Sequence, residues 1–237
     1  SHVADRLTEE GHRVRIYDKV ASPWKHPEQE MIIGDLQDAD LLNKTIAGSD
    51  VVYNFAALAD LERASDQSIE TIRVNILGNA LVLEACRLSG VKRFLYASTV
   101  YVYSREGGFY RCSKQAAEHY VEEYQNRFNL DYTILRYGSL YGPRADSGNG
   151  LLRVVRSALK TGVVSYQGSP DALREYIHVE DAARASVVAL RDDFRNQSVV
   201  LTGQESMRVS DLLKMLSEIL GIYGEVEFVE KKHAGHY

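Results

Sequence analysis

Three short apolar runs, Asp50–Asn54 (DVVYN), Arg93–Ser98 (RFLYAS) and Asp131–Arg136 (DYTILR), alternate with two long helical patterns, Gln67–Leu88 and Tyr110–Phe128. Runs of this length with little polar alternation read as strands buried on both faces. Strands joined by helices rather than hairpins pair in parallel, because a parallel pair needs a crossover. The chain is therefore expected to be α/β with a doubly wound parallel sheet. Such sheets bind ligands outside the carboxyl ends of their strands. Thr99, which directly follows Arg93–Ser98, falls at that edge.

The helix that begins at Tyr110 carries Tyr110-Arg111-Cys112-Ser113-Lys114. A tyrosine and a lysine four residues apart lie on one helical face, a turn apart. An ammonium near a phenol favours the phenolate, so the phenol, whose ordinary pKa is about 10, becomes a usable base. With the Thr99 hydroxyl on the same substrate oxygen, this group can move a proton on or off an alcohol while another agent takes the hydride.

Together, Thr99 and this Tyr-x-x-x-Lys spacing resemble the extended short-chain dehydrogenases/reductases, in the NAD-dependent epimerase/dehydratase branch typified by UDP-glucose 4-epimerase. The resemblance implies a Rossmann-type sheet with a small C-terminal substrate-binding lobe. It implies Tyr110 as acid/base, Lys114 holding the nicotinamide ribose and lowering the Tyr110 pKa, and Thr99 bonded to the reacting oxygen. The NAD-binding domain is expected over 1–138. The substrate lobe covers most of 139–237, with 175–202 partly returning to the first domain.

Along the chain, Ser1–Glu10 reads as a helix stopped by Gly11, and Arg13–Asp18 as a strand ending in Asp18. A carboxylate there suits the adenosine ribose hydroxyls and repels a 2′-phosphate, which favours NAD over NADP. In the family a strand and a G-x-x-G-x-x-G turn run into this first helix, so both are expected ahead of Ser1. Met31–Ile33 is a short strand. The following Gly34-Asp35-Leu36 resembles the adenine-contacting turn, with Asp35 accepting from the amino group. Asp38–Ala47 reads as a helix. Phe55-Ala56-Ala57 resembles the family's small-residue cofactor turn, and Val74-Asn75-Ile76-Leu77-Gly78-Asn79 its V-N-x-x-G-T segment. Gly90 closes that helix. Six residues separate Tyr103 from Tyr110, fewer than in the substrate-covering loop of the family, and an interruption of the chain is expected there.

Tyr137-Gly138-Ser139-Leu140-Tyr141-Gly142-Pro143-Arg144 resembles R-Y-x-N-V-Y-G-P-R, which places Tyr137 beside the nicotinamide and Ser139 and Arg144 toward the substrate. Ser139 stands where the family has Asn, a shorter side chain. Gly148–Lys160 reads as a helix of the lobe. Arg174-Glu175-Tyr176-Ile177-His178-Val179-Glu180-Asp181 resembles R-D-Y-I-H-V-x-D, whose Arg174 grips a nucleotide diphosphate, as a guanidinium fork suits phosphate. His178 and Asp181 read as structural, with Asp181 capping a helix over Ala182–Leu190. Ser198–Leu201 is a strand and Val209–Leu220 a leucine-faced helix. His233 and His236 lack a third metal ligand nearby, so no metal is expected.

The net charge of −5 argues against nonspecific nucleic-acid binding. Neither a membrane-spanning run nor a signal peptide is seen. Cys86 and Cys112, both in expected helices, form no disulfide framework, and the protein is expected to be cytoplasmic. Dehydratases of the family follow the active-site Thr with Asp-Glu. Here Val100 and Tyr101 stand in those places, which leaves chemistry that Tyr110 and NAD suffice for. A sugar-nucleotide epimerase is the expectation. The alternatives are an NAD-dependent oxidoreductase on a smaller alcohol or carbonyl, and a non-catalytic Rossmann-like binding protein. The two long helices are expected to pair in a homodimer as a four-helix bundle.

Overall fold

The computed structural model describes residues 1–229, and the two histidines weighed as metal ligands, His233 and His236, lie outside them. The chain divides into two compact units, the first comprising Ser1–Tyr137 and Ala183–Leu201. The second comprises Gly138–Ala182 and the described residues from Thr202.

The first unit opens with α1 (His2–Glu9), then β1 (Arg15–Asp18), β2 (Glu30–Ile33), α2 (Ala39–Ile46) and β3 (Val51–Asn54). It continues with α3 (Leu61–Asp66), α4 (Ser68–Thr71), a π-helical turn over Ile72–Leu77 and α5 (Gly78–Leu88). After β4 (Arg93–Thr99) a 3₁₀ turn over Val100–Tyr103 leads to α6 (Gly108–Phe128) and β5 (Tyr132–Tyr137). β3, β4, β5 and the later β9 (Gln197–Leu201) form a four-stranded sheet in that order, every pair parallel. β1 and β2 pair in parallel as a separate ladder, so among the described residues no strand bridges β1 and β3.

Why these runs are strands is plain from their surroundings. Phe94 and Tyr96 of β4 and Ile134 of β5 bury themselves against Leu42 and Ile46 of α2, Val82 and Leu83 of α5, and Ala117 and Val121 of α6. Tyr53 and Tyr137 both hydrogen-bond Ser186, to its carbonyl at 3.0 Å and its hydroxyl at 2.6 Å. Side chains that alternate along a strand are thus taken up by both faces. The helix ends follow their residues. Asp38 accepts from Leu41 N–H at 3.0 Å to cap α2. Gly90, at φ 65°, takes the left-handed conformation that ends α5.

Three expectations change. The expected single helix over Gln67–Leu88 is split by the π turn, in which Asn75 is buried, and α3, which Asp60 caps by accepting from Arg63 N–H, was not anticipated. The expected interruption between Tyr103 and Tyr110 is not found. Gly107 and Gly108 sit at φ 90° and 48°, a consecutive left-handed pair open to glycine alone at little cost, and they reverse the chain into α6. Arg111 then clamps the turn by donating to Ser104 O at 2.9 Å.

The second unit contains β6 (Ser139–Tyr141), α7 (Gly150–Thr161), β7 (Ser165–Gln167) and β8 (Leu173–His178), which runs into α8 (Val179–Val188). A short 3₁₀ turn at Asp192–Phe194 precedes β9; β10 (Ser206–Arg208), α9 (Val209–Leu220) and β11 (Glu227–Val229) follow it. β10, β8 and β6 form one small sheet and β11 and β7 another. Ala158, Val164, Val209 and Leu213 are its core. Because α8 starts at Val179, Asp181 lies inside its first turn rather than capping it. There it faces the positive end of the helix dipole.

Replacing the fully buried Phe94 by Ala is expected to destabilise the first unit by about 3–5 kcal/mol. Denaturant unfolding followed by tryptophan and far-UV signals measures it. A loss under about 1 kcal/mol contradicts the packing described.

Candidate active site

β4 ends in Thr99, buried and extended, whose hydroxyl accepts from Tyr101 N–H at 3.3 Å and starts the 3₁₀ turn. The glycine reversal then sets Tyr110 in the first turn of α6. Ser113, Lys114, Ala117, Glu118 and Val121 form the buried face of that helix. Thr99 approaches the Tyr110 phenol closely enough to favour its ionised form. The Tyr101 ring meets that of Tyr110 edge-on, centroids 6.5 Å apart.

Lys114 is 2% exposed. Its ammonium donates to Ala97 O at 2.6 Å and stands over the rings of Tyr96 at 4.7 Å and Tyr110 at 5.8 Å. Desolvation pulls the Lys114 pKa down to about 7, and the Glu118 carboxylate opposes that pull. The expected lowering of Tyr110 is not what the protein's own groups produce. Burial raises the phenol to about 12, with only Thr99 acting against it. Lys114 is too desolvated to carry full charge at neutral pH, and its nearest acceptor is a backbone carbonyl rather than the phenol oxygen.

Beneath this pair is a network that the motif did not reveal. The Glu118 carboxylate, nearly buried, accepts from Ser98 Oγ at 2.5 Å and from Arg136 Nε and Nη2 at 3.0 and 2.6 Å. Arg136 also donates to Tyr103 OH at 2.6 Å. The bidentate pair drives the Arg136 pKa upward. One signal for it was legible: Glu118 lies four residues beyond Lys114, so a carboxylate occupies the buried face of the same helix.

Apart from Tyr110 and Lys114 on α6, the residues expected at the cofactor lie at or just beyond strand ends. Asp18 closes β1 exposed, with Val20 N–H donating to its carboxylate at 3.1 Å. Asp35 follows β2, but its oxygens are engaged, one by Gln37 N–H at 3.0 Å and one by Lys19 Nζ at 2.9 Å. Both bonds lower its pKa, so an adenine amino group would have to compete with Lys19. Leu36 packs against the Gly78 backbone, where an added Cβ would meet it at 3.1 Å. Phe55 and Ala56 are exposed and Ala57 partly so. Phe55 stacks on Tyr53 at 5.9 Å and tilts against Tyr137 at 6.3 Å. Burial pushes the Tyr137 phenol up to about 12.

In the second unit, Ser139 pairs with Tyr176 across β6 and β8. Arg174, on β8, is 8% exposed and donates to Leu173 O at 3.2 Å. Arg144 is exposed at φ 63°, an uncommon left-handed conformation for arginine.

The first unit's residues fit NAD on the chemistry of their donors. Among the described residues the buried Lys114 ammonium makes one hydrogen bond, to Ala97 O, and an ammonium has three donors. The spare donors suit ribose hydroxyls, as does the exposed carboxylate of Asp18. No group of His, Cys, Asp and Glu suited to a metal ion occurs among the described residues, and no helix there is long and apolar enough to cross a membrane.

Residues 1–201 match the NAD dependent epimerase/dehydratase family. A low-salt glycan biosynthesis protein of Haloferax volcanii, Agl12, is 28% identical over 98% of this chain and 78% of its own. A putative UDP-glucose 4-epimerase of Methanocaldococcus jannaschii is 26% identical over 100% and 84%. The crystal structure of the UDP-glucose 4-epimerase of Thermus thermophilus in complex with NAD superposes with a TM-score of 0.87. It is 25% identical and the match covers 99% of this chain and 84% of that one.

Lys114 also gives a pH signature. Its folded pKa, about 7, lies below its unfolded value of about 10.4, so between these limits the unfolded chain binds more protons. Stability contributed at this site therefore rises with pH across that window. The difference in unfolding free energy between wild type and Lys114→Met is expected to shift steadily toward wild type from neutral pH upward. A difference independent of pH contradicts the buried, desolvated ammonium.

Proposed function

The chain belongs to the NAD dependent epimerase/dehydratase family, and within this NAD-dependent family we propose that it is a sugar-nucleotide epimerase. The observation that carries the reading is the meeting of Thr99, Tyr110 and a buried Lys114 at the carboxyl end of β4. Bound NAD supplies the acceptor, and then the donor, of a hydride at one sugar carbon. Tyr110 takes the proton of the sugar hydroxyl as that carbon is oxidised and gives it back as the carbon is reduced. Thr99 hydrogen-bonds the same oxygen and keeps it beside the phenol. A phenol raised to about 12 by burial needs a cation beside it to ionise at neutral pH. Lys114, whose charged form Glu118 a turn away favours against desolvation, would contribute that charge together with the oxidised nicotinamide.

Val100 and Tyr101 follow Thr99. Neither provides a carboxylate, so elimination of water lacks a second acid/base pair there, which supports epimerisation over dehydration. Asp18, Leu36, Phe55, Ala56, Ala57 and Tyr137 are proposed at the cofactor, and Ser139, Arg144 and Arg174 at the nucleotide-sugar. Asp35 joins the cofactor set by exchanging Lys19 for adenine. A homodimer belongs to the same reading. The exposed Ile69, Ile72 and Leu77 on one long helical stretch and Phe109, Tyr120 and Phe128 on α6 are the apolar surface a four-helix bundle covers. The two free cysteines need no oxidising compartment, which suits the cytoplasm.

Incubation with NAD and a panel of sugar nucleotides tests the reading by product analysis. Tyr110→Phe keeps the ring and loses the acid/base, and is expected to lower turnover roughly 10²–10⁴-fold with NAD affinity little changed. A Tyr110→Phe protein with wild-type turnover overturns the scheme. Release of a ketone product instead of an epimer makes the protein an oxidoreductase. Light scattering at micromolar concentration is expected to show a dimer, and a monomer contradicts the bundle.

A further inference from the structure

The turn that follows β2 is tied down on its backbone and on one oxygen of its carboxylate. Asp35 O accepts from Tyr17 Oη at 2.7 Å and from Asp38 N–H at 2.9 Å. The Tyr17 ring lies so close to Gly34 that an added Cβ would meet its hydroxyl at 2.4 Å. Asp35 Oδ1 accepts from Gln37 N–H at 3.0 Å. Backbone and carboxylate are therefore set in one orientation together. Only Oδ2 is held by a movable group, the ammonium of Lys19 at 2.9 Å.

Lys19 directly follows β1, and β1 pairs in parallel with β2 up to Asp18 and Ile33. The ammonium and the carboxylate thus stand at the carboxyl ends of two neighbouring strands. Their side chains are 54% and 45% exposed. A pair so exposed is weak, because water competes for both charges, and a ligand can open it. A carboxylate only accepts hydrogen bonds and an ammonium only donates them. A 6-amino purine presents a donor to such a pair, and a 6-keto purine presents an acceptor. Asp35 can meet the first while Lys19 turns to solvent. Lys19 can meet the second while Asp35 stays beside it as counter-ion.

We propose that Lys19 is a specificity-determining residue at the base of the cofactor, one that makes the site tolerant of 6-amino and 6-keto purine dinucleotides alike. The proposal rests on the reading of Asp35 at the adenine given above. Without Lys19 the fixed carboxylate would face a keto oxygen, acceptor against acceptor, the kind of mismatch that excludes a wrong ligand. Lys19 removes that exclusion. It also reduces what the adenine amino group gains, since Asp35 has a partner before the base arrives.

Dissociation constants for NAD and for nicotinamide hypoxanthine dinucleotide, its 6-keto counterpart, test this by titration of wild type, Lys19→Met and Lys19→Arg. Thermal melting checks that each exposed substitution leaves the fold intact. Both ligands carry the same phosphates, so a general change in electrostatic attraction cancels in the ratio of the two constants. Wild type is expected to bind the two within about threefold of each other. Lys19→Met is expected to prefer NAD by roughly tenfold or more, the size of a lost hydrogen bond to a charged group. Lys19→Arg keeps a donor and is expected to keep the wild-type ratio. A wild type that separates the two ligands by more than about threefold, or a ratio that Lys19→Met does not raise, overturns the proposal and leaves the functional reading standing. A wild-type protein that binds neither dinucleotide sinks both together.

Discussion

A lysine ammonium buried at the end of a strand is the constraint on which the first unit depends. Taking such a charge out of water costs several kcal/mol unless other groups replace the lost hydration. Here the replacements are a carbonyl of β4 at 2.6 Å, the faces of two tyrosine rings and a carboxylate one turn away. That carboxylate is itself buried and is held by Ser98 from β4 and Arg136 from β5. The same few groups lock α6 against two adjacent strands. Loosening any of them would leave a charge buried without its partner, which is more costly than never having buried the pair.

This constraint explains why the fold and the site are one problem. Parallel strands covered on both faces leave only their carboxyl ends for ligands. The sharp reversal at Gly107 and Gly108 brings Tyr110 back to the end of β4, where its phenol meets the Thr99 hydroxyl. Burial that holds Lys114 in place also drives its charge state toward neutrality and raises the phenol beside it. Desolvation thus moves the two groups in opposite directions, Lys114 down to about 7 and the Tyr110 phenol up to about 12.

Much of this was legible in the sequence, and the omissions have physical causes. Apolar runs such as Arg93–Ser98 declare a buried strand because both faces must be covered, and the Tyr110–Lys114 spacing declares one helical face. Gly90 announced a helix end by the conformation that only glycine adopts readily. The π turn at Ile72–Leu77 had no signal, since its cause is tertiary: Asn75 turns inward to a loop and to a helix far along the chain. Glu118 was overlooked because a charged residue on a helix reads as solvated until its partners on other strands are known. Asp181 was misplaced by reading a cap where α8 had already begun. Spacing along a helix puts Tyr110 and Lys114 near each other but says nothing of desolvation, which raises the phenol in the protein alone.

The account stands or falls on whether a hydride leaves one sugar carbon and returns to it while Tyr110 shuttles the proton. UDP-glucose carrying deuterium at the carbon to be inverted, incubated with the protein and NAD, tests this most directly. The prediction is an epimerised product that retains the deuterium at that carbon, with none lost to water and no net accumulation of reduced nicotinamide. Deuterium washed out into solvent would contradict it, because inversion would then proceed by removal of a carbon-bound proton rather than by transfer and return of a hydride.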